Sequence, residues 1–464
     1  MANNVSMNDT RNPQTVPGGG FSGGSGYGED LGAGLGYNEH ADVLLDPAQS
    51  GNITLPASPI FRLMRAILII AVFFCGWSLL RIGQINLTLS DLLLSIVMAA
   101  MLYRGEISSK PFGDLTVFWM LGLGLMLLGL LIGTVLNGSV VRWLIAGAQY
   151  LFAFMLIPML LMGQQTSLTR MLPALFVLGI SVSQLIGIST SLMFEHADTK
   201  DLLGSGFLTG NGRLGAMSGE PNPNGAMIAF AIPMLLYSVR RGTMPLGLGV
   251  LCGILLVWGL LASGSFTGFV ASLIALAVYL AVSGIGLFVR ISIIVAIGAA
   301  LFLASGLPLP AAFEERVAGA LTTGNLEQAG TFDGRSDLIA EAWEMVDDNS
   351  GVGLGVDQYR VVSRYGAPVH EFHLLIWNEG GLMAFAGVII ILLTMLAIAF
   401  RAISRSRFEG AMILAVVVVF NVYTFSVPHM YSRAWILPVL LAMATYFAQR
   451  KLPGASTGQT VTNR

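Results

Sequence analysis

Three residues of this chain have the types and settings to handle a phosphorylated substrate: Arg213, Arg335 and His370. Arg213 stands in a run from Gly204 to Gly225 that is rich in glycine and carries Glu220, Asn222 and Asn224. Glycine permits positive φ and lets a ligand approach the backbone closely. A guanidinium stays charged and forks onto phosphate oxygens. One arginine among glycines and amide side chains therefore suits a phosphate or a sugar. The plain alternative is a flexible connector with a surface arginine, in which Asn224 caps the next helix.

Arg335 lies in the run Asp333-Gly-Arg335-Ser-Asp337, followed by an amphipathic pattern. Leu338, Ile339, Ala342, Trp343 and Val346 fall on one helical face, which predicts a helix packed on the membrane-domain surface. Asn349-Ser350-Gly351 predicts its end. Arg335 would sit at the helix start, where the dipole favours an anion and a cation opposes local stability. A residue placed against local stability invites a functional reading. The surrounding segment, 307–373, holds eleven acids and four arginines, so anion binding would have to be focused on one or two of the cations.

His370 and His373 close that segment, with Glu371 between them and Glu379 nine residues after His370. An imidazole at the mouth of an apolar helix is well placed as a general base. An interfacial polar residue is the simpler alternative. Glu371 could orient the imidazole or raise its pKa. Glu379 falls inside an apolar stretch, where an acid is costly and is expected to be paired, with a loop arginine as a candidate. Five histidines in all and no cysteine nearby argue against a metal, so none is expected.

The elements that must position these groups are transmembrane helices. Of 464 residues, 55% are hydrophobic and only 11% charged, against about 25% charged in a soluble domain. Long continuous apolar runs fit helices and exclude a barrel, whose strands alternate. The expected fold is an all-α polytopic membrane protein with twelve spans, near 61–80, 87–103, 115–136, 143–163, 171–193, 225–239, 246–262, 265–283, 288–306, 374–400, 410–427 and 434–448. The break at Ala262-Ser263-Gly264-Ser265 is very short for two separate spans. Residues 1–58, dense in Gly and Ser, read as a disordered cytoplasmic tail; 59–450 reads as the membrane domain and 451–464 as a second tail. No early apolar h-region marks a cleavable signal peptide. Cys75 and Cys252 fall inside expected spans, so no disulfide is expected.

Orientation follows from the short connections. With the N-terminus inside, thirteen Lys or Arg fall on the inner side and only Arg81, Arg142 and Arg433 on the outer. Both termini are then cytoplasmic. The long segments 194–224 and 307–373 both lie outside, the periplasm if the cell is Gram-negative.

The order of motifs resembles the O-antigen ligase and polymerase family, the WaaL/Wzy-type glycosyltransferases. That order is a glycine-rich loop with Arg213 and Pro-Asn, Gly-Arg335 leading a Trp-containing helix, Gly353-Leu-Gly355, then His370 nine residues before Glu379-Gly. The resemblance covers roughly residues 200–390 in motif order and the whole chain in span count. It implies a bacterial inner-membrane enzyme that transfers a glycan en bloc from undecaprenyl pyrophosphate at the periplasmic face. No cofactor, metal or nucleotide sugar is implied. Arg213 and Arg335 would bind the pyrophosphate, and His370 would take the proton of an acceptor hydroxyl, inverting the anomeric carbon. Glu379, Glu371, His373, Asn222 and Asn224 would support them.

Two departures stand out. Many relatives carry Ser-Arg where this chain has Ser263-Gly264-Ser265-Phe266, and His-Asn where Glu371 follows His370. The second leaves open whether His370 or His373 acts. The acceptor would be lipid A–core for a ligase or another lipid-linked repeat for a polymerase. The departures lean slightly to a polymerase of O-antigen or exopolysaccharide, with chain-length regulator and export proteins as its partners. No nucleic-acid partner is expected. The competing classes are a flippase or secondary transporter, which would place acids or broken helices near the midplane, and a scaffold, which would not need the arginine-bearing glycine loop.

Overall fold

A computed structural model describes residues 59–82, 87–306, 308–324 and 332–449. The expected tails, 1–58 and 451–464, and the stretch 325–331 of the second long segment lie outside the described residues. The described chain is an integral membrane protein built of α-helices. In chain order the main ones are α1 (Pro59–Phe73), α2 (Leu89–Tyr103), α3 (Thr116–Asn137), α4 (Val140–Leu161), α5 (Thr166–Met193), α6 (His196–Leu203), α7 (Pro221–Arg240) and α8 (Leu246–Ser263). They continue with α9 (Phe266–Ser283), α10 (Ile285–Ser305), α11 (Phe332–Asn349), α12 (Phe372–Arg405), α13 (Arg407–Thr424) and α14 (Arg433–Gln449). The strands described are one short antiparallel pair, Arg81–Ile82 with Leu87–Thr88.

Among the described residues, eight helices are long and apolar enough to cross a membrane: α3, α4, α5, α8, α9, α10, α12 and α13. Helices also stand at the other four expected positions. There α1 and α2 have 15 residues each, α14 is short, and α7 opens on the polar Pro221-Asn222-Pro223-Asn224. The brief break after Ala262 does separate two helices. Gly264 takes a left-handed conformation, φ 52°, and the Ser265 hydroxyl accepts the Gly268 N–H to cap α9.

Small residues let α3 pack closely against α12. A Cβ added at Gly122 would lie 2.7 Å from the Gly387 carbonyl oxygen, and one at Gly129 2.6 Å from that of Gly380. Such stripes let helix backbones approach where water supplies no driving force.

Hydrogen bonds between connections sort them to two ends of the bundle. At one end Leu79 N–H donates to Met217 (2.9 Å), Leu214 N–H to Ala262 (2.9 Å) and the Asn137 amide to Gly353 (3.2 Å). Both long polar segments belong to this end. A buried ion pair holds it too. Arg433 Nε donates to Asp91 Oδ1 at 2.8 Å, while Asp91 also completes a capping box with Thr88 at the start of α2. At the other end Ser108 N–H donates to Met159, the Thr166 hydroxyl to Ala448, and Arg241 pairs with Glu409 at 2.5 Å.

Candidate functional site

The glycine loop before α7 is folded, not a flexible connector. Phe207 and Ala216 are fully buried, and Leu208 pairs with Leu214 in an isolated bridge. A Cβ at Gly206 would lie 2.0 Å from the Gly219 carbonyl oxygen, so the two strands of the loop touch backbone to backbone. This fold fixes Arg213. Its Nε donates to the Ser263 carbonyl at 3.0 Å and its Nη2 to Asn222 Oδ1 at 2.7 Å.

Asn222 therefore orients Arg213, whereas Asn224 acts one step behind. Asn224 is fully buried, exchanges hydrogen bonds with Gln184 at 2.7 and 3.1 Å, and donates to the Leu214 carbonyl at 3.0 Å. The expectation that Asn224 caps a helix is corrected. The helix starts earlier, at Pro221, with Glu220 in the cap position. A buried amide needs partners for both its ends, and Gln184 with Leu214 supplies them.

Helix α11 covers the expected span and ends at Asn349. Leu338, Ala342 and Val346 are buried against Tyr359, Val369, Leu374 and Leu375. Trp343 is not part of that face. It is 54% exposed and meets only the edge of Trp377, because it lies a quarter-turn from the buried stripe. Glu341 takes a buried place instead. Its carboxylate accepts the Ser363 hydroxyl at 2.7 Å and the Arg364 N–H at 2.5 Å, and so ties 363–364 to the helix.

Helix α12 carries the histidines and is broken near its start. Gly381 has φ 67°, which interrupts the helix after two and a half turns. The freed backbone groups bond to the preceding loop. Leu354 N–H donates to Asn378 O and Gly355 N–H to Glu379 O, both at 2.8 Å, and Leu382 N–H donates to Ser350 O at 2.9 Å. The Gly353-Leu-Gly355 motif thus stitches a kink. A Cβ at Gly353 would lie 2.2 Å from the Glu379 carbonyl carbon. Glu379 itself is buried, and the Asp357 and Tyr359 backbone hydrogen-bonds to it. The expected partnership with a loop arginine is corrected: among the described residues Glu379 makes no ion pair. Backbone N–H groups beside the kink satisfy the acid in place of a cation.

Glu371 is the N-cap of α12. Its carboxylate accepts the Leu374 N–H at 2.6 Å and the His373 N–H at 3.3 Å. Burial pushes its pKa up. The expectation that it orients or charges the His370 imidazole is corrected, since its oxygens are directed into the helix end. His373 is buried among helices. Its Nε2 lies 2.9 Å from the Thr424 hydroxyl, and its ring packs against Phe425. The Thr424 hydroxyl donates to Asn421 O, so Nε2–H is the donor to Thr424. His370 is half-buried and stands just ahead of the helix; of the two histidines it is the one whose titration Arg335 affects.

Electrostatics join the distant motifs. Burial and the nearby guanidiniums of Arg316 and Arg335 pull the Arg213 pKa down to about 10. Burial and Arg316 lower that of Arg335. Burial and Arg335 lower that of His370. Three half-buried cations that raise one another's cost of charging form a locus that gains from an anion. Among the described residues neither Arg213 nor Arg335 makes an ion pair. A neutral imidazole at the edge of that locus can accept a proton at neutral pH.

Arg316 was not expected. It sits in the run Glu314-Glu315-Arg316, which reads as a self-neutralised solvated stretch. Its segment docks on Gly264, where a Cβ would lie 2.8 Å from the Ala312 carbonyl oxygen.

No protein-family model matches the chain. No curated protein matches it significantly either.

Proposed function

We propose that the chain is a membrane glycosyltransferase that moves a glycan en bloc from a polyprenyl diphosphate to an acceptor hydroxyl, as an O-antigen or exopolysaccharide polymerase or an O-antigen ligase. The grouping of Arg213, Arg316 and Arg335 with His370, from the two long segments at one end of the bundle, carries this reading. In the reaction the acceptor oxygen attacks the anomeric carbon. The bond from that carbon to the diphosphate breaks, and the diphosphate leaves with the electron pair. His370 receives the acceptor proton. The guanidiniums offset the charge that grows on the leaving group, and this is strongest where water is excluded. Direct attack inverts the anomeric carbon.

In this proposal α1, α2, α7 and α14 also cross the bilayer, giving twelve spans in the inner membrane with both termini cytoplasmic. The loop end then faces the periplasm, where lipid-linked donors are consumed. Nothing in the arrangement separates a polymerase from a ligase, since they differ only in the acceptor.

The test is reconstitution of the full chain with a lipid-linked repeat, with and without a lipid A–core acceptor. Polymer without core identifies a polymerase; transfer only to core identifies a ligase. Arg335→Ala and His370→Ala are expected to insert normally and to lose product formation at least 100-fold, in line with the worth of a base or an oxyanion-stabilising group. Chelator is expected to leave activity intact. Normal product from either variant removes that residue from the site.

A further inference from the structure

A cavity of about 350 Å³ opens beside the kink of α12, and none of Arg213, Arg316 and Arg335 lines it. Ile376 and Glu379, on the first turns of the helix that His370 precedes, form part of its wall. His429 also lines it. The cavity therefore opens along the first turns of the helix that His370 precedes.

Its lining differs in kind from the cluster. Two arginines, Arg81 and Arg142, stand with two acids, Asp357 and Glu379; Arg142 lies 3.6 Å from Asp357, which Arg360 also approaches at 3.6 Å. The lining is of mixed charge, whereas the cluster is cationic. Tyr150 and Tyr431 stand 5.9 Å apart with their rings at 88°, forming an apolar corner. Gln149 and Asp357 offer hydrogen-bonding groups at its rim. Aromatic faces combined with amide and carboxylate groups match a sugar ring, which has an apolar face and a belt of hydroxyls. The volume lies at the lower end of the roughly 300–1,000 Å³ found for small-molecule sites.

We propose that this cavity is the acceptor subsite, holding an uncharged pyranose ring of the incoming glycan with its nucleophilic hydroxyl turned toward His370. The assignment rests on the transferase reading above. It divides the labour around one imidazole: cations on the donor side, aromatic and amide groups on the acceptor side.

The test uses the full chain in nanodiscs and two probes. Free glucose, galactose, mannose, rhamnose and N-acetylglucosamine are screened by saturation-transfer NMR. Inorganic pyrophosphate is titrated by calorimetry. At least one sugar is expected to receive saturation, and the signal is expected to fall at least fivefold in Ala146→Trp, which fills the cavity. Ile145→Trp serves as the second filling variant, because Ile145 is 49% exposed and tolerates bulk. Both should bind pyrophosphate within twofold of the parent, which also certifies their fold. Arg213→Ala should weaken pyrophosphate binding and leave the sugar signal. No sugar signal in the parent, or a full signal in both filled variants, overturns the acceptor subsite. Pyrophosphate binding that ignores both Arg213→Ala and Arg335→Ala overturns the transferase reading instead, and the sugar site would stand without it.

Discussion

His370 is set up to act as a base by two effects of the same sign. Burial disfavours its charged form, and Arg335 repels the proton further. A base works when deprotonated, so activity should rise through the His370 pKa as pH increases, with its acid limb below the ordinary 6.5. Arg335→Gln removes a repelling charge and so should move the His370 titration upward, toward 6.5. NMR titration of the histidine ring signals, assigned by comparison with His370→Asn, checks the direction; a downward shift would show that Arg335 does not face the imidazole. Arg213, Arg335 and His370 were legible in the sequence because each stands out from its setting: a cation among glycines, a cation at a helix start, an imidazole at the mouth of a span. Arg316 was not, because its role depends on Gly264 and Ala312 meeting across 48 residues. Glu371 beside His370 suggested a proton partner; the backbone angles that make it a helix cap are invisible in residue types.

At the scale of elements, His370 leads into the short helix 372–380, whose far end is set by the kink at Gly381. Alanine at 381 would have to hold φ near 67°, which costs about 1–2 kcal/mol for an L-residue. Its Cβ would also meet the Gly351 carbonyl oxygen at 2.6 Å. Gly381→Ala is expected to keep the helices inserted but to lower transfer at least tenfold, read as turnover per protein recovered from membranes. Unchanged turnover would mean that the kink does not position the base. The cap gives a companion experiment. Glu371→Ser preserves a good cap and should leave the pH profile in place, whereas Glu371→Ala loses about 0.5–2 kcal/mol of helix stability. A moved acid limb in Glu371→Ser would restore Glu371 as a proton partner. The helices themselves were readable from apolar runs, and even the two-residue turn at Gly264-Ser265 was visible as a break. The kink was not, because Gly380-Gly381 inside an apolar stretch reads equally well as a packing face.

For the whole molecule the central matter is sidedness. The arginines expected outside, Arg81, Arg142 and Arg433, line or adjoin the cavity end, while Arg104, Arg241 and their partners hold the other. Two long segments, about eighty residues apart in the chain, lie at the same end of the bundle. The count of apolar runs between the two segments anticipates their placement at one end; which side of the membrane that end faces is what the charges of the short connections predict. The docking of both segments on the turn at 262–265 was not readable, since it depends on backbones that meet at Ala262 and Gly264. The orientation can be tested with single cysteines, because Cys75 and Cys252 are both buried and free and should give little background. Asp198→Cys and Arg364→Cys place thiols at exposed positions of the two segments, and Ser404→Cys at the opposite end. In intact spheroplasts a membrane-impermeant maleimide is expected to label the first two, and to reach the third only after the membrane is permeabilised. Labelling of Ser404→Cys alone would invert the molecule and put the arginine cluster in the cytoplasm. Labelling of only one segment would separate Arg213 from His370, and with them the donor site from its base.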